Sequence, residues 1–161
     1  MSRYDNETRV TLSVLDRLLD YEPEVTHEPL SSRNKSLRLF KQAVKRDLEW
    51  LLNTRQIAGG IPAGLKELTN SLAAYGLPDF STVTVTDASE QQQLRLVLED
   101  LINTFEPRLR DVVVTFETAR ESERALRFRI EANLIVDPAP EPVTFDTMLQ
   151  LASGEYKVQE K

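Results

Sequence analysis

Pro107 separates two stretches of chain with different hydrophobic periods, and that change constrains the fold more than any other feature. Before it, Leu94, Val97, Leu98, Leu101, Ile102 and Phe105 fall at i, i+3, i+4, i+7, i+8 and i+11. Only a helix gathers such a stripe on one side. After it, Val112, Val114 and Phe116 alternate with Val113, Thr115 and Glu117. Leu126, Phe128, Ile130, Ala132, Leu134 and Val136 then alternate with Arg127, Arg129, Glu131, Asn133 and Ile135. A strand with one dry and one wet face belongs to an antiparallel sheet covered on one side. Beyond Pro138, Pro140 and Pro142, PVTFDTML gives a third strand and EYKVQ a candidate fourth, turning near Ser153-Gly154. Helices first and strands second predict an α+β fold: N-terminal helices followed by a small antiparallel sheet with helices packed on one face.

The helical part has its own punctuation. In 36–55, Leu37, Phe40, Val44, Leu48 and Leu51 recur at steps of three and four, opposite Lys41, Gln42, Lys45, Arg46 and Glu49. That helix should stop near Asn53 to Gln56, before Gly59, Gly60 and Pro62. GLKELTNSLAAYGLPD reads as one brief helix ended by Gly76, with Pro78 just beyond. The next helix opens on Asp87-Ala-Ser-Glu90, a capping residue three before an acid, and ends at Pro107. Near the N-terminus, VTLSVLDRLLD places Leu12, Leu15, Leu18 and Leu19 on one helical stripe. The proline-punctuated stretch after it has no period and reads as an extended connector. Residues 1–30 are therefore expected to form an arm, and 31–161 one domain.

Composition removes most catalytic chemistries. The 161 residues include no cysteine and one histidine, His27, which lies between Pro23 and Pro29. Thiol nucleophiles, thiolate metal sites and zinc sites built on several imidazoles are excluded, and no cofactor is expected. No G-x-S-x-G turn accompanies His27, which reads as a surface residue. Neither a signal-peptide core nor a membrane-spanning apolar run is present, which points to the cytoplasm. The net charge of −6 argues against nonspecific nucleic-acid binding. Its distribution is uneven: −4 over 1–30, +5 over 33–55 and −4 over 131–161. A basic helix between acidic ends can dock an acidic protein surface, hold its own acidic flanks, or simply be a solvated face.

The junction of the third main helix and the first strand reads Phe105-Glu106-Pro107-Arg108-Leu109. A glutamate at a helix C-terminus faces the negative end of the macrodipole, so a positive group should compensate it. Arg108 lies two residues on, and in extended backbone i and i+2 point the same way. Glu106 and Arg108 can therefore pair with each other or jointly present a charged fork to a partner. The plainer reading is an ordinary helix stop, in which Arg108 takes part only in a surface ion pair of about 0–1 kcal/mol.

This Glu-Pro-Arg junction resembles the signature of the phage gene-25-like baseplate wedge family, whose type VI secretion members are the TssE proteins. SVLDRLLD, VKRDLEWLLNTR, YGLPD and the closing PVTFDT and SGEYKV resemble further family segments in the same order, from about residue 10 to 159. The resemblance implies a structural, non-enzymatic protein with no cofactor, no membrane insertion and no nucleic-acid partner. It implies a wedge complex with TssF and TssG, TssK reached indirectly, and a role in templating the TssB–TssC sheath. Glu106, Pro107 and Arg108 would contact the wedge core. An edge including Val143, Phe145, Tyr156 and Val158 would accept extended sheath arms by β-augmentation.

Two other functions compete with this reading. The family has carried a lysozyme-like label, and a glycosidase needs two carboxylates, one of them protonated. Arg108 beside Glu106 favours the ionised carboxylate, the wrong direction for a proton donor. A free-standing adaptor is the second alternative, using helix 36–55 to bind an acidic protein or nucleic acid. That helix has Trp50 but no interleaved aromatics of the kind that stack bases.

Overall fold

The computed structural model describes residues 10–19, 33–57, 64–78, 88–117, 125–150 and 155–160. The alternation after Pro107 resolves into four strands: β1 (Leu109–Phe116), β2 (Ala125–Leu134), β3 (Glu141–Gln150) and β4 (Glu155–Glu160). They form one antiparallel meander in the order β1-β2-β3-β4, so β1 and β4 are the edges. The two periods of the sequence meet on one sheet face. Val112, Val114, Phe128, Ile130, Ala132, Leu134, Val143, Phe145, Tyr156 and Val158 are buried there. The other face carries polar pairs: Arg129 Nε donates to Asp146 at 2.8 Å, and Asn133 to Asp111 at 3.0 Å. The covered face and the wet face follow the predicted alternation from Val112 to Phe116 and from Phe128 to Val136, and the Leu126 side chain lies outside the described residues.

Two long helices cover the apolar face. After α1 (Val14–Leu18), α2 (Arg33–Asn53) lies along β4, and α4 (Ala88–Phe105) lies along β1. Phe40, Val44, Leu48 and Leu51 of α2 and Leu94, Leu98, Leu101 and Ile102 of α4 belong to a single core with the sheet. The α2 helix ends at Asn53, inside the predicted window. The cap at Asp87, the connector with His27, and the turns at Gly59-Gly60 and Ser153-Gly154 lie outside the described residues.

Several elements differ from their sequence signals. The single brief helix expected over 64–78 is two pieces, α3 (Lys66–Thr69) and a 3-10 turn at Leu72–Ala74. The break falls at Asn70-Ser71, where the Ser71 hydroxyl accepts from the Ala73 backbone N–H and starts a new turn. Gly76 follows with a φ of 104°, and a Cβ there would lie 2.6 Å from the Thr54 carbonyl oxygen. The chain passes beside α2's end through a parallel bridge, Arg55 to Leu77, with Leu77 N–H on the Thr54 carbonyl at 2.8 Å. In β1 the register shifts between Arg110 and Val113, with Asp111 at a φ of 54°. A bulge of this kind increases twist at an edge.

The N-terminal helix is shorter than its pattern. Ser13 caps it by accepting from Asp16 N–H at 3.1 Å, and only Val14–Leu18 are helical. Val10 and Leu12 pack against the core, but Leu15 is exposed and Leu18 is 76% exposed. The expected leucine stripe is therefore not buried as a unit. A five-residue helix has too few turns to bring all four leucines over one surface.

Candidate functional site: the helix–strand junction

Glu106 follows α4 directly, and its N–H still donates to the Ile102 carbonyl at 2.8 Å, as in a last helical turn. Pro107 cannot continue the helix. A β-turn forms instead, closed by Leu109 N–H on the Glu106 carbonyl at 3.0 Å, with proline at its second position. The Arg108 carbonyl then accepts from Ile135 N–H at 2.8 Å, which joins the turn to the end of β2. Both side chains of the motif are thereby held by backbone bonded on each side.

Glu106 is 3% exposed, deeper than a helix-terminal carboxylate normally sits. It is matched by Arg108, whose Nε donates to Oε1 at 2.6 Å and whose Nη2 donates to Oε2. The Arg108 backbone N–H also reaches Oε1 at 3.3 Å. The pairing suggested by i, i+2 spacing is present, and it is a fork on a buried carboxylate. Arg108 Nη2 also donates to Asp47 Oδ2 at 2.6 Å, across from α2. Its guanidinium lies 5.7 Å from the centre of the Phe40 ring. Burial works against the guanidinium charge, but the hydrogen bonds and charges of Glu106 and Asp47 outweigh it and hold its pKa above the ordinary value.

The network continues to the N-terminal helix. Asp47 Oδ1 accepts from Arg46 Nε at 2.9 Å and Nη2 at 2.7 Å, and Arg46 Nη2 lies 2.9 Å from Asp16 Oδ1. Arg46 also sits over Trp50, 4.9 Å from the ring centroid. Five side chains thus alternate in sign from α1 to the junction, three carboxylates and two guanidiniums. Tyr75 borders the same cluster, edge-on to Phe105 at 5.3 Å. Burial, then the charges of Asp47 and Glu106, push its phenol up. Asp47, Arg46, Asp16 and Tyr75 carried no sequence signal that tied them to the motif. Asp47 was visible only as an acid on a basic helix.

Asp16 gives this network a pH dependence. Burial raises its pKa, but the Ser13 hydrogen bond and Arg46 together hold it below the ordinary 3.8. A carboxyl depressed in the native state contributes stability above its unfolded pKa and loses it as pH falls through the native value. The α1 contact should accordingly be complete at neutral pH and released on acidification below 3.8. Trp50, the single tryptophan, reports on Arg46. Its emission should change over that acid range in the native protein, and Asp16→Asn should show the acid-like emission already at pH 7. Superimposable pH profiles for the two proteins would count against this linkage.

The four edge residues singled out in the sequence are placed differently from one another. Val143 and Phe145 lie on β3, an inner strand paired with β2, and Phe145 also pairs with Glu160 of β4. Tyr156 and Val158 lie on the edge strand β4. All four side chains point into the core, and of the four residues only Tyr156 and Val158 have backbone groups facing outward from an edge. Glu106, Pro107 and Arg108 lie at the far side of the sheet, before β1.

The fold and the junction together define an α+β domain of helices over a four-stranded meander, with an ion-clamped Glu-Pro-Arg turn between α4 and β1. The family model described as baseplate wedge protein gp25 matches residues 38–139, from within α2 to the turn before β3. The chain belongs to that family, a structural component of baseplates. Comparison with curated proteins returned no relative. Among the described residues, no helix is long and apolar enough to cross a membrane.

Proposed function

We propose that this chain is a TssE-like wedge component of a type VI secretion baseplate, without enzymatic activity, acting in the cytoplasm at the inner face of the cell envelope. Residues 31–161 form the wedge domain, and residues 1–30 form an N-terminal arm. Glu106, Pro107 and Arg108 contact the wedge core formed by TssF and TssG, with TssK reached indirectly. The sheet then offers an edge to extended arms of the TssB–TssC sheath.

The observation that carries this reading is the family match over residues 38–139, which includes the whole junction. The junction's geometry supports it. A turn held by backbone bonds on both sides and by two ion pairs presents one shape, and preorganised surfaces lose less entropy on binding. Co-purification from cells tests it: the tagged chain should bring down wedge proteins. Recovery of a single unrelated partner would favour an adaptor instead.

The edge is tested by Val158→Pro. The Val158 N–H points away from β3, toward Glu49 of α2, so proline there removes an outward donor without breaking the β3–β4 ladder. The folded variant should still join the wedge and fail to seed sheath. Normal sheath assembly in cells carrying it would remove β4 from consideration.

A further inference from the structure

Both edge strands have outward backbone groups, and helix side chains already occupy some of them. On β4, Tyr156 N–H donates to Asn53 Oδ1 at 2.9 Å, and the Tyr156 carbonyl accepts from Asn53 Nδ2 at 2.9 Å. Val158 N–H donates to Glu49 Oε1 at 3.4 Å. On β1, Val114 N–H donates to Glu99 Oε1 of α4 at 2.9 Å. The Asn53 amide does what a residue of a neighbouring strand would do: it gives one donor and one acceptor to the same residue. Asn53 and Glu49 are one helical turn apart on α2, so they meet alternate residues of β4.

We infer that Asn53 and Glu49 form a displaceable latch over β4, and that an incoming extended segment binds by taking over their three hydrogen bonds. The inference rests on the reading of β4 as the acceptor edge and adds its gate. The segment's carbonyls replace Asn53 Oδ1 and Glu49 Oε1 at Tyr156 and Val158, and one of its N–H groups replaces Asn53 Nδ2. Its register is fixed by those two residues. Until it arrives the latch keeps the edge from pairing with other strands, the protection that exposed edges require. Asn53 is the stronger element, because its bonds are shorter and run in both directions.

The latch can be removed without touching the core. In hydrogen exchange on the full chain, Asn53→Ala should accelerate the Tyr156 amide by tenfold or more, and Glu49→Ala should accelerate Val158. Amides bonded inside the β2–β3 ladder should be unchanged, which shows that the variants are folded. Glu49→Gln, which keeps an acceptor oxygen, should exchange as the native protein does. Purified TssB–TssC sheath subunits are the binding probe. If the closed latch lowers the fraction of competent protein, the double alanine variant should bind them several-fold more tightly.

Unchanged exchange at both amides overturns the latch, as does faster exchange with unchanged or weaker sheath binding. Faster exchange with no sheath binding by either protein sinks the β4 docking reading itself, and the gate falls with it.

Discussion

Arg108→Glu is expected to cost about 3–5 kcal/mol of folding stability, as breaking a buried ion pair does. The residue holds both oxygens of a carboxylate that is 3% exposed and bonds a second carboxylate on α2. Charge reversal would leave the buried Glu106 facing the new acid, with the remaining cation, Arg46, held on the far oxygen of Asp47. Against a total stability of about 5–15 kcal/mol, that is a large fraction. The cost of about 0–1 kcal/mol expected of a surface pair does not apply, because the pair is not on the surface. A urea midpoint within error of the native protein would show that the fork is dispensable.

That stability cost changes how the wedge contact must be probed. A charge reversal that unfolds the domain abolishes binding for the wrong reason. Arg108→Lys keeps the charge but loses the planar fork that suits a carboxylate. A lysine variant that stays folded and no longer co-purifies with wedge proteins would assign Arg108 to the contact.

Leu101→Ala should cost about 2–5 kcal/mol, the range for buried leucines. Leu101 lies on α4 in the same core as Val112, Val114, Phe128 and Ile130, where the helical stripe meets the sheet. The loss is a transfer term plus a cavity that packed neighbours fill only in part. The denaturation midpoint should fall while the slope stays the same. An unchanged midpoint would mean that α4 does not carry the core.

The sheet was legible because alternation has one physical cause, a pleat with one dry side, and Val112 to Phe116 and Phe128 to Val136 obey it. The α2 and α4 stripes were legible for the matching helical reason. Glu106 and Arg108 were legible as a pair because two residues suffice to bring them together. Asp47 was not, because the contact spans 61 residues of chain and needs the packed fold. Asn53 and Glu49 look like any polar positions on a helix, and nothing local says that their neighbours are strand amides. The β1 bulge was hidden because Asp111 takes a left-handed φ that its sequence permits but does not demand. The brief third helix misled because its leucines have the right spacing while Asn70-Ser71 supplies a competing turn.

The crossing at Gly76 reaches further than its own loop. With a left-handed backbone and the Thr54 carbonyl oxygen 2.6 Å from where a Cβ would stand, this position accepts hydrogen and nothing larger. It holds the chain against the end of α2, adding to the core packing of Phe40, Val44, Leu48 and Leu51 that sets the helix's rotation about its axis. Arg46, Asp47, Glu49, Trp50 and Asn53 all lie within the final eight residues of that helix. The angular setting of the ion network toward Arg108, and of the amide and carboxylate toward β4, is thus shared between that packing and one glycine that touches neither. Drift at this glycine would detune both surfaces together, whereas drift at either surface would leave the other in place.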